Sequence, residues 1–136
     1  MARVQRVLIE KDTPIRLRDG VATYADVYRP LEGPPAPVVL VRTPYDKEVS
    51  MGGLGVLPQW TKLAERGYAV VVQDVRGRAS SEGVFYPFAN EGPDGYDSVA
   101  WAAGQPWSDG RVGVLGASYF GATTLLAARE APPGLQ

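Results

Sequence analysis

The fold is decided at residues 111–129, Arg-Val-Gly-Val-Leu-Gly-Ala-Ser-Tyr-Phe-Gly-Ala-Thr-Thr-Leu-Leu-Ala-Ala-Arg. Val112, Val114 and Leu115 make a short apolar strand, and residues 123–129 are rich in helix formers, so Ser118 falls where strand turns into helix. A nucleophile elbow sits at such a place: a tight, strained turn that lifts a serine hydroxyl clear of the sheet beside a helix N-terminus. Gly116 stands two residues before Ser118, where a side chain would crowd the turn, and Gly121 stands three after it. The usual elbow has its second glycine two after the serine, and this chain has Phe120 there.

Two other readings attach to the same residues. A serine ahead of a helix can act simply as an N-cap that accepts a backbone N–H bond. Gly116, Ser118 and Gly121 also fall on the spacing of the dinucleotide fingerprint. Ser118 then replaces the glycine that lets pyrophosphate approach, and the acidic residue expected about 20 positions on is not reached before Gln136. Both points argue against a nucleotide site.

A chain of 136 residues is one domain or part of one. With 45% hydrophobic and 21% charged residues it has the composition of a globular protein, not of a disordered one. The net charge is −1 and there is no basic run, so nothing marks a nucleic-acid or acidic-membrane partner, and a small molecule or short peptide fits better. The absence of cysteine excludes disulfides, cysteine-ligated zinc and a cysteine nucleophile. Histidine is also absent and the carboxylates are not expected to cluster, so no metal and no cofactor is implied. Charges interrupt the N-terminal segment, which lacks a signal-peptide core, and no apolar run approaches membrane-spanning length. A cytoplasmic location is expected.

The missing histidine bears directly on Ser118. A serine hydroxyl is a poor nucleophile until a base takes its proton, and that base is most often imidazole. None of Lys11, Lys47 and Lys62 stands in a Ser-x-x-Lys relation to Ser118. If the elbow is real, the chain is part of a larger enzyme.

Residues 4–10 read as a strand, and residues 15–19 lead through the turn pair Asp19-Gly20 into a second strand over 21–28. This is an antiparallel opening hairpin. Four prolines in residues 29–37 make a loop, and 38–41 is an apolar run suited to a strand buried on both faces. Pro44 and Tyr45 follow at that strand's C-terminal end, where open α/β sheets bind ligands, so the phenol could face one. Asp46 and Lys47 read as a solvated pair. Met51-Gly52-Gly53-Leu54-Gly55 lacks the Lys-Ser/Thr of a phosphate loop and reads as a mobile loop.

Leu57, Trp60, Leu63 and Ala64 form one face of a helix closed by Gly67, and 68–72 is the next buried strand. Asp74 and Arg76 read as a charged pair bracing their own turn. Pro93 opens a helix whose face comprises Tyr96, Val99, Ala100 and Ala103, with Asp94 and Asp97 near its positive end. Residues 105–110 turn the chain into the elbow strand. Strands alternating with helices imply a parallel sheet, and the elbow strand would be left at its edge unless another segment or chain covers it.

Four motifs together resemble a known family. Arg42-Thr43-Pro44-Tyr45, Gln73-Asp74-Val75-Arg76-Gly77 followed by Ser81-Glu82-Gly83, Gln105-Pro106-Trp107-Ser108-Asp109-Gly110, and Gly116-Ala117-Ser118-Tyr119-Phe120-Gly121 are similar to those of the cocaine esterase and Xaa-Pro dipeptidyl-peptidase family of α/β-hydrolases. The resemblance implies that Ser118 is the nucleophile, and that the Tyr119 backbone N–H and the Tyr45 phenol donate to the oxyanion. It implies two-step cleavage of an ester or amide by a Ser-His-Asp mechanism. The acid, the histidine, a helical cap and a jelly-roll domain belong to later parts of such proteins. Residues 1–136 are therefore expected to be the N-terminal portion of one α/β-hydrolase domain, inactive alone. The expected partner is a polypeptide carrying His and Asp, or a second copy covering the open edge. A non-catalytic assembly or binding fragment and a nucleotide-binding α/β fragment are the alternatives.

Overall fold

Apolar alternation and turn residues set out an antiparallel hairpin followed by alternating strands and helices, and the computed structural model, which describes residues 4–49 and 59–136, has that order. Its strands are β1 (Val7–Arg16), β2 (Ala22–Pro30), β3 (Ala36–Thr43), β4 (Ala69–Asp74) and β5 (Ser108–Val114). The helices are α1 (Trp60–Glu65), α2 (Glu91–Ala103) and α3 (Ser118–Arg129). They form one sheet in the order β1-β2-β4-β3-β5, antiparallel as far as β4 and parallel through β4, β3 and β5. This is the element order expected of the N-terminal portion of an α/β-hydrolase fold. The stretch 51–55 and Leu57 lie outside the described residues.

Strands β3 and β4 read as unbroken apolar runs because both faces of the sheet are covered. Val38, Leu40, Ala69 and Val71 join a core with Ile15, Val27, Val99, Ala102 and Val112. Their alternate neighbours Val41, Val70 and Val72 join Trp60 of α1 and Phe120 of α3 in a second core. The α2 face differs from its sequence reading: Ala100 is exposed, and the buried residues include Gly92, Gly95, Ser98, Val99 and Ala102. The small residues bring α2 against α3, and a Cβ on Gly95 would lie 2.4 Å from the Ala127 Cβ.

Three further expectations are corrected by partners distant in sequence. Residues 108–110 belong to β5 instead of a preceding turn, since Ser108 already pairs with Ala36. Lys47 is buried, with Nζ 2.7 Å from Asp12, 3.3 Å from Glu48 and 3.4 Å from Asp26, so it forms no solvated pair with Asp46. Arg76 does not pair with Asp74; it grips Asp94 through two bonds of 2.9 and 2.8 Å and reaches Asp19 at 2.7 Å. Asp97 is likewise engaged, by Arg18.

The outer edge of β5 is partly covered by the chain itself. Val112 donates to the Gly134 carbonyl and accepts from Gln136 N–H, in a parallel bridge to Leu135. No helix among the described residues is long and apolar enough to cross a membrane.

Candidate active site

The strand-to-helix turn has the geometry of an elbow. Ser118 has φ +54°, in the left-handed region that costs a non-glycine residue about 1–3 kcal/mol, and its side chain is exposed. A Cβ at Gly116 would lie 2.0 Å from the Phe120 carbonyl oxygen, so only glycine permits the chain to double back there. Gly121 is different. A Cβ at that position would meet Gly116 O at 3.6 Å, an ordinary contact, so the turn does not depend sterically on this second glycine.

The Tyr45 phenol oxygen is 3.3 Å from Ser118 Oγ, within hydrogen-bond reach. Tyr45 is 41% exposed, and its ring stands edge-on to that of the buried Phe120 at 6.0 Å. Its loop is fastened at several points. Tyr45 N–H donates to Thr43 Oγ1, and Arg78 donates to the Pro44 carbonyl. Buried Asp74 accepts the Lys47 N–H at 2.7 Å, and its other oxygen accepts from the Ser80 hydroxyl at 2.6 Å. Asp74 is thus a clamp between two loops at the strand ends.

Tyr119 follows Ser118 in the first turn of α3. The ladder of α3 opens with Gly121 N–H donating to the Ala117 carbonyl, so the Tyr119 N–H precedes it, and no acceptor takes it among the described residues. Its phenol turns the other way, donating to Glu91 Oε2 at 2.8 Å and accepting the Phe88 N–H at 3.0 Å. Burial pushes this phenol up to about 12; the Phe88 N–H opposes the shift and the Glu91 carboxylate reinforces it. Glu91 in turn pairs with buried Arg42 at 2.9 Å. In the sequence Arg42 is part of a family motif with no role of its own, and Glu91 carries no mark. A glutamate opening a helix is ordinary, and no local signal sets this one apart.

The expectation that carboxylates do not cluster is overturned. Asp12, Asp26 and Glu48 bring oxygens within 4.8 Å of one another. Their counter-charge is already present: Lys47 lies among them, and Lys11 Nζ is 2.5 Å from Asp26 and 2.8 Å from Glu48. Burial works against the Lys47 charge, but Asp12, Asp26 and Glu48 outweigh it and hold the ammonium above its ordinary range. This cluster braces the loop after β3 and gives no ground for a metal. The chain has no histidine, so no imidazole of its own reaches Ser118.

Comparison with known proteins matches this arrangement to hydrolases. The family model of the X-Pro dipeptidyl-peptidases (S15 family) matches residues 19–136. Cocaine esterase of Rhodococcus sp. (strain MB1 Bresler) is 40% identical over 128 residues, covering 94% of this chain and 22% of the esterase. A CocE/NonD family hydrolase from Staphylococcus aureus superposes with a TM-score of 0.86 at 32% identity, over 96% of this chain and 26% of that one. An aminopeptidase from a marine sediment Thaumarchaeota archaeon gives 0.82 at 30% identity, over all of this chain and 25% of its own. The chain therefore spans about a quarter of the length of the relatives it matches, and with its elbow, its strand order and 118 aligned positions it belongs to the X-Pro dipeptidyl-peptidase (S15) family.

Proposed function

We propose that this chain is the nucleophile-bearing part of a serine hydrolase that cleaves an ester or amide bond. The observation that carries the reading is Ser118 at φ +54° with its hydroxyl 3.3 Å from the Tyr45 phenol. In the proposed reaction Ser118 Oγ attacks the carbonyl carbon while a histidine takes its proton. The oxyanion accepts hydrogen bonds from the Tyr45 O–H and the Tyr119 N–H, the leaving group departs protonated, and water resolves the acyl-enzyme. The histidine and its acid come from outside these 136 residues, together with the cap and jelly-roll domains. A small ester or a short peptide, Xaa-Pro peptides included, is the substrate class. Alone, the chain binds an oxyanion without turning over.

The lack of histidine favours one second reading, a non-catalytic assembly fragment of such a hydrolase. Intact and native mass of the purified protein, followed by labelling with a fluorophosphonate, separates the two. A co-purifying partner or longer polypeptide, with label on Ser118 and none on Ser118→Ala, supports the enzyme. An isolated chain that takes no label supports the fragment.

A further inference from the structure

We infer that the buried Arg42–Glu91 pair is a positioning device that holds the two oxyanion donors in register, acting through the Tyr119 phenol; this rests on the reading of Ser118, Tyr45 and Tyr119 given above. Arg42 lies near the end of β3, three residues before Tyr45, and α3 carries Tyr119 in its first turn. One residue ties the two elements together by two routes. Its guanidinium donates to Glu91 Oε1 at 2.9 Å and to the Glu91 carbonyl at 3.0 Å, and Glu91 Oε2 takes the Tyr119 hydroxyl at 2.8 Å. Its own carbonyl lies 3.0 Å from the Thr123 hydroxyl of α3, which shares its one proton with the Phe120 carbonyl at 2.8 Å.

The chain of bonds continues away from the site. Arg42 Nε donates to Gln73 Oε1 at 3.2 Å, Gln73 Nε2 donates to Thr23 Oγ1 at 2.6 Å, and Thr23 donates to the Ile15 carbonyl at 2.9 Å. The Arg42 and Glu91 side chains are 3% and 4% exposed, and no buried side-chain polar atom among the described residues lacks a partner. A buried ion pair contributes little net stability compared with apolar residues of the same volume, so its physical value is directional. Direction is what the first turn of α3 needs. Ala117 occupies the N-cap, no side chain caps the helix, and Ser118 is strained, so the turn that presents the Tyr119 N–H lacks the usual anchor. The phenol of Tyr119 supplies it, clamped between Glu91 and the Phe88 N–H. A phenol is protonated and able to donate at neutral pH, and burial here raises it further.

The test uses the complete active enzyme containing this chain, with Tyr119→Phe, Glu91→Gln and Tyr45→Phe prepared in parallel. Tyr119→Phe keeps the ring and leaves the Arg42–Glu91 pair intact, so it decides the matter even if Glu91→Gln folds poorly. The expected result is a kcat about 10-fold to 100-fold lower with KM unchanged. Affinity for a boronic acid that forms a tetrahedral adduct on the serine should fall by the same factor. A Tyr119→Phe enzyme with kcat and boronate affinity within twofold of wild type overturns the inference, and does so whatever happens to its melting temperature. If Tyr45→Phe is slow and Tyr119→Phe is not, the hydrolase reading stands and the positioning role falls. If wild-type Ser118 takes no fluorophosphonate, both fall together.

Discussion

Replacing Tyr45 by Phe removes one oxygen atom, and the structure separates what that atom does for catalysis from what it does for folding. The phenol oxygen makes its side-chain contact with Ser118 Oγ at 3.3 Å, while the ring keeps its edge-on contact with Phe120. The residue is 41% exposed, so water replaces the lost partner and stability should change by less than about 0.5 kcal/mol. The effect on rate is of another size. An oxyanion donor is worth about 10²–10³ in kcat, which is about 2.7–4 kcal/mol of transition-state stabilisation. The assay is steady-state hydrolysis of a chromogenic ester by the complete enzyme, with thermal unfolding of both proteins. The expectation is a kcat lowered by that factor, a KM changed little and a melting curve that superposes. A variant with wild-type kcat and a serine that still takes fluorophosphonate would remove Tyr45 from the mechanism and leave Tyr119 without its proposed second donor.

Other perturbations give distinct outcomes. Gly116→Ala drives a Cβ into the Phe120 carbonyl and should cost upwards of about 1–3 kcal/mol in urea unfolding, with loss of labelling at Ser118. Gly121→Ala, at a helical position of α3, meets only an ordinary contact with the Gly116 carbonyl and should be neutral or more stable by up to about 1 kcal/mol in the same measurement. Arg76→Ala strands the buried Asp94 carboxylate, and unfolding should show a loss of about 3–5 kcal/mol. Stability should also fall at both ends of the pH range. Lys47 lowers the Asp12 carboxyl, Arg76 that of Asp19, Lys11 with Lys47 that of Glu48, and Arg111 that of Asp109. The unfolded chain binds protons more readily at these four groups, so their contribution is present above about pH 4 and lost as pH drops through and below it. Lys11 is raised, chiefly by Asp26, and Lys47 is raised as well, so their contribution is present below about pH 10 and lost above. A urea midpoint that holds steady from pH 7 down to pH 3 would contradict this assignment.

The hairpin, the two doubly buried strands and the elbow were legible because each is written in neighbouring residues: Asp19-Gly20 at a turn, residues 38–41 as an apolar run, Gly116 two places before Ser118. Features set by distant partners were not. Ser108-Asp109-Gly110 carries turn residues, and it becomes strand because Ala36 lies opposite. Lys47 resembles any surface lysine until Asp12 and Asp26 of the opening hairpin close over it. The α2 face departs from its hydrophobicity pattern because the helix buries small residues against Ala127 of α3, where such a pattern favours larger ones. For the site itself, spacing marks Ser118, whereas the roles proposed for Tyr45 and Tyr119 come from the family resemblance. The Glu91 carboxylate is 28 residues from the phenol it holds, and nothing local announces the bond.

The strand order has a consequence for how this site withstands change. The loop bearing Tyr45 and the turn bearing Ser118 leave from β3 and β5, which are immediate neighbours, with Leu40 opposite Val114 and the Leu115 N–H donating to the Leu40 carbonyl. Adjacent strands are held about 4.8 Å apart by main-chain bonds whatever their side chains. The spacing of the two backbones that lead to Tyr45 and Ser118 is therefore set by the pitch of the backbone ladder. Exchanging one core side chain for another leaves that pitch as it is, while a single inserted residue in either short connection shifts Tyr45 against Ser118.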